Sequence, residues 1–232
     1  MSRRLQECGI TIKKPGSMEA VGDALAHLVR INTESDLAES GRATVVLSGG
    51  NTPRHYLQAV ADGRESWNGI SVTLSDERFV PTNDKESNES LIRSFFLHTE
   101  AKIVGLRGTA TRPSIAAEEA SDRVNNSCPW PPSVSILGFG LDGHFASLFS
   151  ESDCRERGPF ACLATRHPTT GADRISMRFD RLIATRRIML VCNRDKYAYL
   201  QEAVSKDTAT APPIVQFLRA SGDRTELLIT SD

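Results

Sequence analysis

Residues 43–56 read "ATVVLSGGNTPRHY", and the change of character inside that stretch sets the fold class. The apolar run Ala43 to Leu47 suits a fully buried strand, because it carries no polar alternation to mark a wet face. It stops at Ser48-Gly49-Gly50, and after Asn51-Thr52-Pro53 a helical pattern begins, with proline acceptable in a first helical turn. Bare backbone between a buried strand and a helix serves either a tight βα turn or the close approach of an anion to free N–H groups. The glycines match neither G-x-G-x-x-G nor G-x-x-x-x-G-K-[ST], so a nucleotide-binding loop is not indicated.

Working outward, the same alternation recurs. Apolar runs stand at residues 70–74, 102–106, 134–138, 174–179, 187–192 and 226–230, separated by amphipathic segments. Residues 17–31 place Met18, Val21, Leu25, Leu28 and Val29 on one helical face behind a Ser17 cap, and residues 88–97 place Leu91, Ile92, Phe95 and Phe96 on another. Strand then helix, repeated, predicts an α/β protein with a mostly parallel sheet covered on both faces, read as one domain over 1–232. Ligands in such sheets sit beyond the carboxyl ends of the strands. That rule selects the segments after Leu47, Leu74 and Leu137. The proline-rich "CPWPPS" at 128–133 is read as a loop.

The chain has 232 residues, 39% hydrophobic and 25% charged, with a net charge of −1 from 28 basic and 29 acidic residues. That balance gives no global field to hold nucleic acid or an anionic membrane. Five scattered cysteines form no C-x-x-C pair or zinc-ligand spacing, and the N-terminus lacks the apolar core of a signal peptide. A cytoplasmic protein follows as the expectation.

Three further segments carry chemistry. In "SDERFVPTNDKESNESL" (75–91), Asp76, Glu77 and Arg78 follow a buried strand. Arg78 there suits a bidentate phosphate contact with the two acids orienting it or binding sugar hydroxyls; a solvated strand end with a local ion pair is the alternative. In "ILGFGLDGHFASLF" (136–149), a strand ends in glycines and Asp142-Gly143-His144 leads into an expected short apolar helix. His144 at that helix N-terminus would stay neutral and able to take a proton, with Asp142 holding the ring or a water. Activity resting on that base should fall on the acid side. Lys196 falls in the first turn of an expected helix after "RIMLVC", where a bound anion would offset its unfavourable place at the positive helix end; an ordinary surface lysine is the alternative. Arg174 opens the run 174–179 and can join the same site. His27, His55, His98 and His167 have no such frame and are set aside as non-functional.

Together "LSGGNTP", "SDERFVPTNDKESN" and "GFGLDGHFASLF", with "RISM" and the lysine after the penultimate strand, resemble the 6-phosphogluconolactonases over roughly residues 17–220. The resemblance implies a three-layer α/β/α, Rossmann-like fold of the sugar-phosphate isomerase type. It implies hydrolysis of 6-phospho-D-glucono-1,5-lactone, a small sugar-phosphate substrate, and no metal or organic cofactor. By position, His144 looks like the general base with Asp142 beside it. Gly49, Gly50 and Thr52 look like the phosphate cradle, joined by Arg78, Arg174 and Lys196, with Ser48, Asp76 and Glu77 as further substrate contacts. Glucosamine-6-phosphate deaminases share the glycine loop and D-G-H, but "FASLFS" stands where they continue with Asn-Glu-Pro. A non-catalytic sugar-phosphate-binding protein is the other alternative. Three positions depart from the family pattern: Asn51 replaces a common serine, Phe145 a usual threonine and Ser150 a usual proline. A monomer or small homo-oligomer is expected.

Overall fold

In a computed structural model the described residues are 2–206 and 211–230. Ten strands and nine α-helices alternate: α1 (Ser2–Glu7), β1 (Thr11–Gly16), α2 (Met18–Ser40), β2 (Ala43–Leu47), α3 (Leu57–Asp62), β3 (Ile70–Leu74), β4 (Asp76–Arg78), α4 (Asn88–Phe95), β5 (Lys102–Val104), α5 (Pro113–Ser127), β6 (Val134–Leu137), α6 (Glu151–Arg155), β7 (Cys162–Arg166), β8 (Asp173–Met177), α7 (Phe179–Ile183), β9 (Arg187–Cys192), α8 (Arg194–Ser205), α9 (Pro213–Ser221) and β10 (Thr225–Thr230). Seven strands form one sheet in the order β1-β10-β9-β6-β2-β3-β5, every neighbouring pair parallel. Every residue of β2, β3 and β6 is buried, as a sheet clad by helices on both faces requires.

Helix ends follow local chemistry. The Ser17 hydroxyl accepts from the Ala20 amide and starts α2, and Gly41 in a left-handed conformation (φ 70°) ends it. That helix runs nine residues beyond the amphipathic stretch expected from the sequence. Three strands escape the apolar-run criterion: β1, β4 and β7. β1 is a polar edge strand, and β4 and β7 belong to a second, antiparallel sheet in the order β4-β8-β7.

This arrangement brings the strand ends together. β9, β6, β2 and β3 are consecutive in the sheet, with Leu47 paired to Leu74 and Leu137 to Leu190, so Ser48, Ser75, Gly138 and Asn193 emerge at one edge. The small antiparallel sheet lies beside that edge, tied to it where the Met177 amide donates to the Ser75 carbonyl at 2.8 Å. Cys128, Cys154, Cys162 and Cys192 are buried, and burial pushes each thiol up to about 12, away from reactive thiolate chemistry. Among the described residues no helix is long and apolar enough to cross a membrane.

Candidate active site

A cavity of about 360 Å³ opens at the carboxyl edge of the sheet. Ser48, Gly49, Gly50, Thr52, Asp76, Arg78, His144, Arg174 and Lys196 all line it, as do Asn51, Asn88, Phe149 and His167. Of the residues singled out from sequence, Asp142 and Glu77 are not in its wall.

The glycine loop is bare for two different reasons. Gly50 has φ 100°, a left-handed conformation that a side chain resists, and nothing stands within 4 Å of where its Cβ would be. A Cβ on Gly49 would instead lie 2.0 Å from Oδ1 of Asn88, so Gly49 is bare to let Asn88 pack against the backbone. The segment after the loop is a 3₁₀ turn, Thr52–His55, before the six-residue α3. An anion at this loop would therefore meet loop amides more than a long helix dipole.

Asn88 lines the cavity and is absent from the sequence-based set, although the "SN" of the motif contained it. Its Oδ1 accepts from Nη1 of Arg78 at 2.7 Å, and its Nδ2 donates to the Asp76 carbonyl at 2.9 Å. Arg78 also donates to the Glu86 carbonyl at 2.8 Å. The guanidinium is thus aimed by the turn that leads into α4.

The antiparallel pairing of β4 with β8 sets Arg78 directly opposite Arg174. Two like charges in one cross-strand pair repel. Burial lowers the pKa of Arg174, and the Arg78 charge lowers it further. An anion between them relieves both effects. Lys196 arrives from the first turn of α8, beyond the Asn193 cap, with Nζ 5.5 Å from the centroid of the Phe139 ring. Burial lowers its pKa, with Cys192 and Asp142 pulling it back up.

Asp76 is held on both oxygens: Ser75 Oγ donates to Oδ1 at 2.8 Å and Ser147 Oγ to Oδ2 at 2.7 Å. Ser48 Oγ lies 3.1 Å from Ser75 Oγ and extends this chain beneath the glycine loop. Glu77 is different. Its side chain is fully buried and accepts from the amides of Arg78, Asn88 and Glu89, each at 2.7 Å, and from the Ser87 hydroxyl at 3.0 Å. Three of these four bonds go to the start of α4 and the fourth to the next amide of its own strand. Glu77, expected from sequence to meet substrate, instead anchors that helix: in the β4 strand its side chain turns inward while Asp76 and Arg78 line the cavity.

His144 differs from expectation in its setting. Residues 141–149 form turns with isolated bridges from Phe145 to Phe139 and to Leu148, and no helix starts there. Ala146, at φ 47°, breaks a helical path, and fully buried Phe145 and Leu148 are drawn into the core. Phe145 packs 4.4 Å from Phe217 and 5.9 Å from Phe179, ring centroid to centroid, so this departure from the family pattern anchors the loop and leaves the cavity wall to its neighbours. Ser150, the second departure, caps α6 in a reciprocal box with Asp153.

No helix dipole acts on His144; its tautomer is set by Asp142. Nδ1 of the ring lies 2.6 Å from Oδ1 of Asp142, which places the ring proton on Nδ1 and leaves Nε2 as an acceptor. Burial by itself would raise the Asp142 carboxyl, but His144, by its hydrogen bonds and by its charge whenever the ring is protonated, brings it below the ordinary value. The Asp142 side chain is 56% exposed against 29% for His144, so it holds the ring from outside the cavity. Gly140 makes room for the pair, and Gly143 lets the turn between them pack on its surroundings. A Cβ on Gly140 would stand 2.3 Å from Asp142 Oδ1 and 2.4 Å from His144 Cε1. Gly143, at φ 86°, leaves no space for a side chain against Tyr199 and Pro212, and its carbonyl accepts from the Ile214 amide at 2.9 Å.

Fold and site define an α/β protein whose parallel-sheet edge holds a cavity lined by Arg78, Arg174 and Lys196 next to a His–Asp pair. The family model described as glucosamine-6-phosphate isomerases/6-phosphogluconolactonase matches residues 16–226. A 6-phosphogluconolactonase of Pseudomonas aeruginosa is 33% identical over 221 residues, covering 91% of this chain and 92% of that protein. The crystal structure of a 6-phosphogluconolactonase from Shewanella baltica superposes with TM-score 0.87 at 26% identity, over 96% of this chain and 98% of the other. A monomeric glucosamine-6-phosphate deaminase shares the fold at TM-score 0.79 and 15% identity, over 95% of this chain and 97% of the other. The chain belongs to the glucosamine-6-phosphate isomerase/6-phosphogluconolactonase family.

Proposed function

We propose that the protein hydrolyses 6-phospho-D-glucono-1,5-lactone to 6-phospho-D-gluconate in the cytoplasm, the second step of the oxidative pentose phosphate pathway. One observation carries this assignment: the Asp142-held ring of His144 shares a single cavity with Arg78, Arg174, Lys196 and the glycine loop. The relatives' activity and the absence of a deaminase-type Asn-Glu-Pro after His144 support the lactone over an amino sugar.

The cations and the loop amides of Gly49 and Gly50 hold the phosphate, a handle remote from the reacting carbon that fixes the ring for attack. Nε2 of His144 accepts a proton as a water oxygen adds to the lactone carbonyl carbon. The tetrahedral adduct then collapses, the ring C–O bond breaks, and the same proton passes to the leaving ring oxygen, giving the open acid. Asp142 is a positioning residue that holds the imidazole in the tautomer with a free Nε2. Such general-base assistance contributes about 10²–10⁴-fold.

The test is acid release from freshly made lactone, corrected for spontaneous opening. His144→Ala should lower kcat by about 10²–10⁴-fold while 6-phosphogluconate still binds. A wild-type rate in that variant removes His144 from the mechanism, and a wild-type protein that binds the product yet opens no lactone overturns the hydrolytic assignment.

A further inference from the structure

His167 lies in the connection between β7 and β8, the hairpin that also carries Arg174. Its backbone closes the turn: the amide donates to the Ala172 carbonyl and the carbonyl accepts from the Gly171 amide, both at 2.9 Å. Inside this turn Nδ1 of the ring receives the amides of Thr169 at 3.2 Å and Thr170 at 3.3 Å. Two N–H groups aimed at Nδ1 make it the acceptor, so the ring proton sits on Nε2. Among the described residues Nε2 has no hydrogen-bond partner, and the side chain forms part of the cavity wall.

Phe149 connects this ring to the reacting end. Its centroid is 5.0 Å from that of His167 and 5.1 Å from that of His144. The two histidines therefore flank one aromatic ring in opposite tautomers. His144 presents an accepting Nε2 because its Nδ1–H donates to Asp142, and His167 presents a donating Nε2 because the turn amides occupy its Nδ1.

We infer that His167 is a substrate-binding residue of this site, donating from Nε2 to a hydroxyl oxygen on the carbon chain of the bound sugar acid. The phosphate already has three cationic side chains and the glycine loop, and a single neutral donor adds little to them. A hydroxyl, which can accept from the imidazole and donate onward, suits it better. The inference rests on the sugar-phosphate assignment above and adds the residue that reads the chain between phosphate and lactone.

The test measures 6-phosphogluconate and inorganic phosphate binding by calorimetry for wild type, His167→Asn and His167→Phe. The asparagine Oδ1 can still accept from the turn amides, and phenylalanine keeps the ring contact with Phe149, so the two changes remove the Nε2 donor while sparing different parts of the local structure. Loss of one neutral hydrogen bond should raise the Kd for 6-phosphogluconate about 3- to 10-fold in both variants. Inorganic phosphate affinity should stay unchanged, and in turnover the loss should fall on KM with kcat nearly constant. An unaltered 6-phosphogluconate Kd in the two variants overturns the inference, as does an equal loss for inorganic phosphate. Failure of the wild type itself to bind 6-phosphogluconate counts against the sugar-phosphate assignment instead.

Discussion

Replacing Glu77 with glutamine separates support of the fold from contact with substrate. The carboxylate accepts four hydrogen bonds inside the protein, two at each oxygen, with no exposed surface. Burial raises its pKa and those four bonds pull against the rise. Glutamine keeps one accepting oxygen. Its best orientation leaves that oxygen on the Arg78 and Asn88 amides and turns the NH₂ toward Ser87 and Glu89. The Ser87 hydroxyl can rotate to accept, but the Glu89 amide then faces another donor. One stranded buried N–H costs about 1–3 kcal/mol, and the remaining bonds lose their charge assistance, for a total of about 2–4 kcal/mol. In a chain of this size that lowers Tm by roughly 5–15 °C, followed by calorimetry or circular dichroism. Below the melting range, affinity for 6-phosphogluconate should weaken less than tenfold, through slight displacement of Arg78 and Asn88. An unchanged Tm with a large loss of 6-phosphogluconate affinity would refute this account and return Glu77 to the substrate.

Three other outcomes follow from the site. Arg78→Ala or Lys196→Ala should weaken binding of phosphorylated sugars by about 1.5–3 kcal/mol, the range for hydrogen bonds to charged groups, and barely alter turnover of unphosphorylated gluconolactone; equal losses on both would assign these residues to folding. Burial lowers the pKa of Lys196, so its ammonium is fully present below that lowered value and lost as pH rises through it; the Kd for 6-phosphogluconate should rise on the alkaline side before the ordinary lysine value of about 10.4. Lys196→Arg should remove that limb, and a limb that persists would belong to another group. Gly140→Ala puts a methyl group into the His144–Asp142 pair and should reduce kcat by about 10²-fold or more with product affinity largely kept; a wild-type kcat would show that the pair tolerates displacement.

The sequence by itself determined what depends on neighbours in the chain. The buried run Ala43–Leu47 announces a parallel strand because no polar alternation marks a wet face, and Ser17 marks the start of α2 because its hydroxyl serves an amide three residues on. The glycine loop, Arg78, His144 and Lys196 were legible because each directly follows such a strand, at the edge where parallel sheets bind ligands. Only the tertiary structure decided which side chains meet. β4 has three residues and two carboxylates, so its strand character comes from pairing with β8, and with it the facing of Arg78 and Arg174. Glu77 and Asp76 are adjacent and chemically alike, yet one is consumed by the start of α4 and the other turns to the cavity. The apolar residues after His144 have a helical spacing, but Phe145 gains more by packing on Phe179 and Phe217 than a turn of helix would return. His167 is an ordinary loop histidine until the hairpin folds its ring against Phe149, a contact between segments that no local pattern encodes.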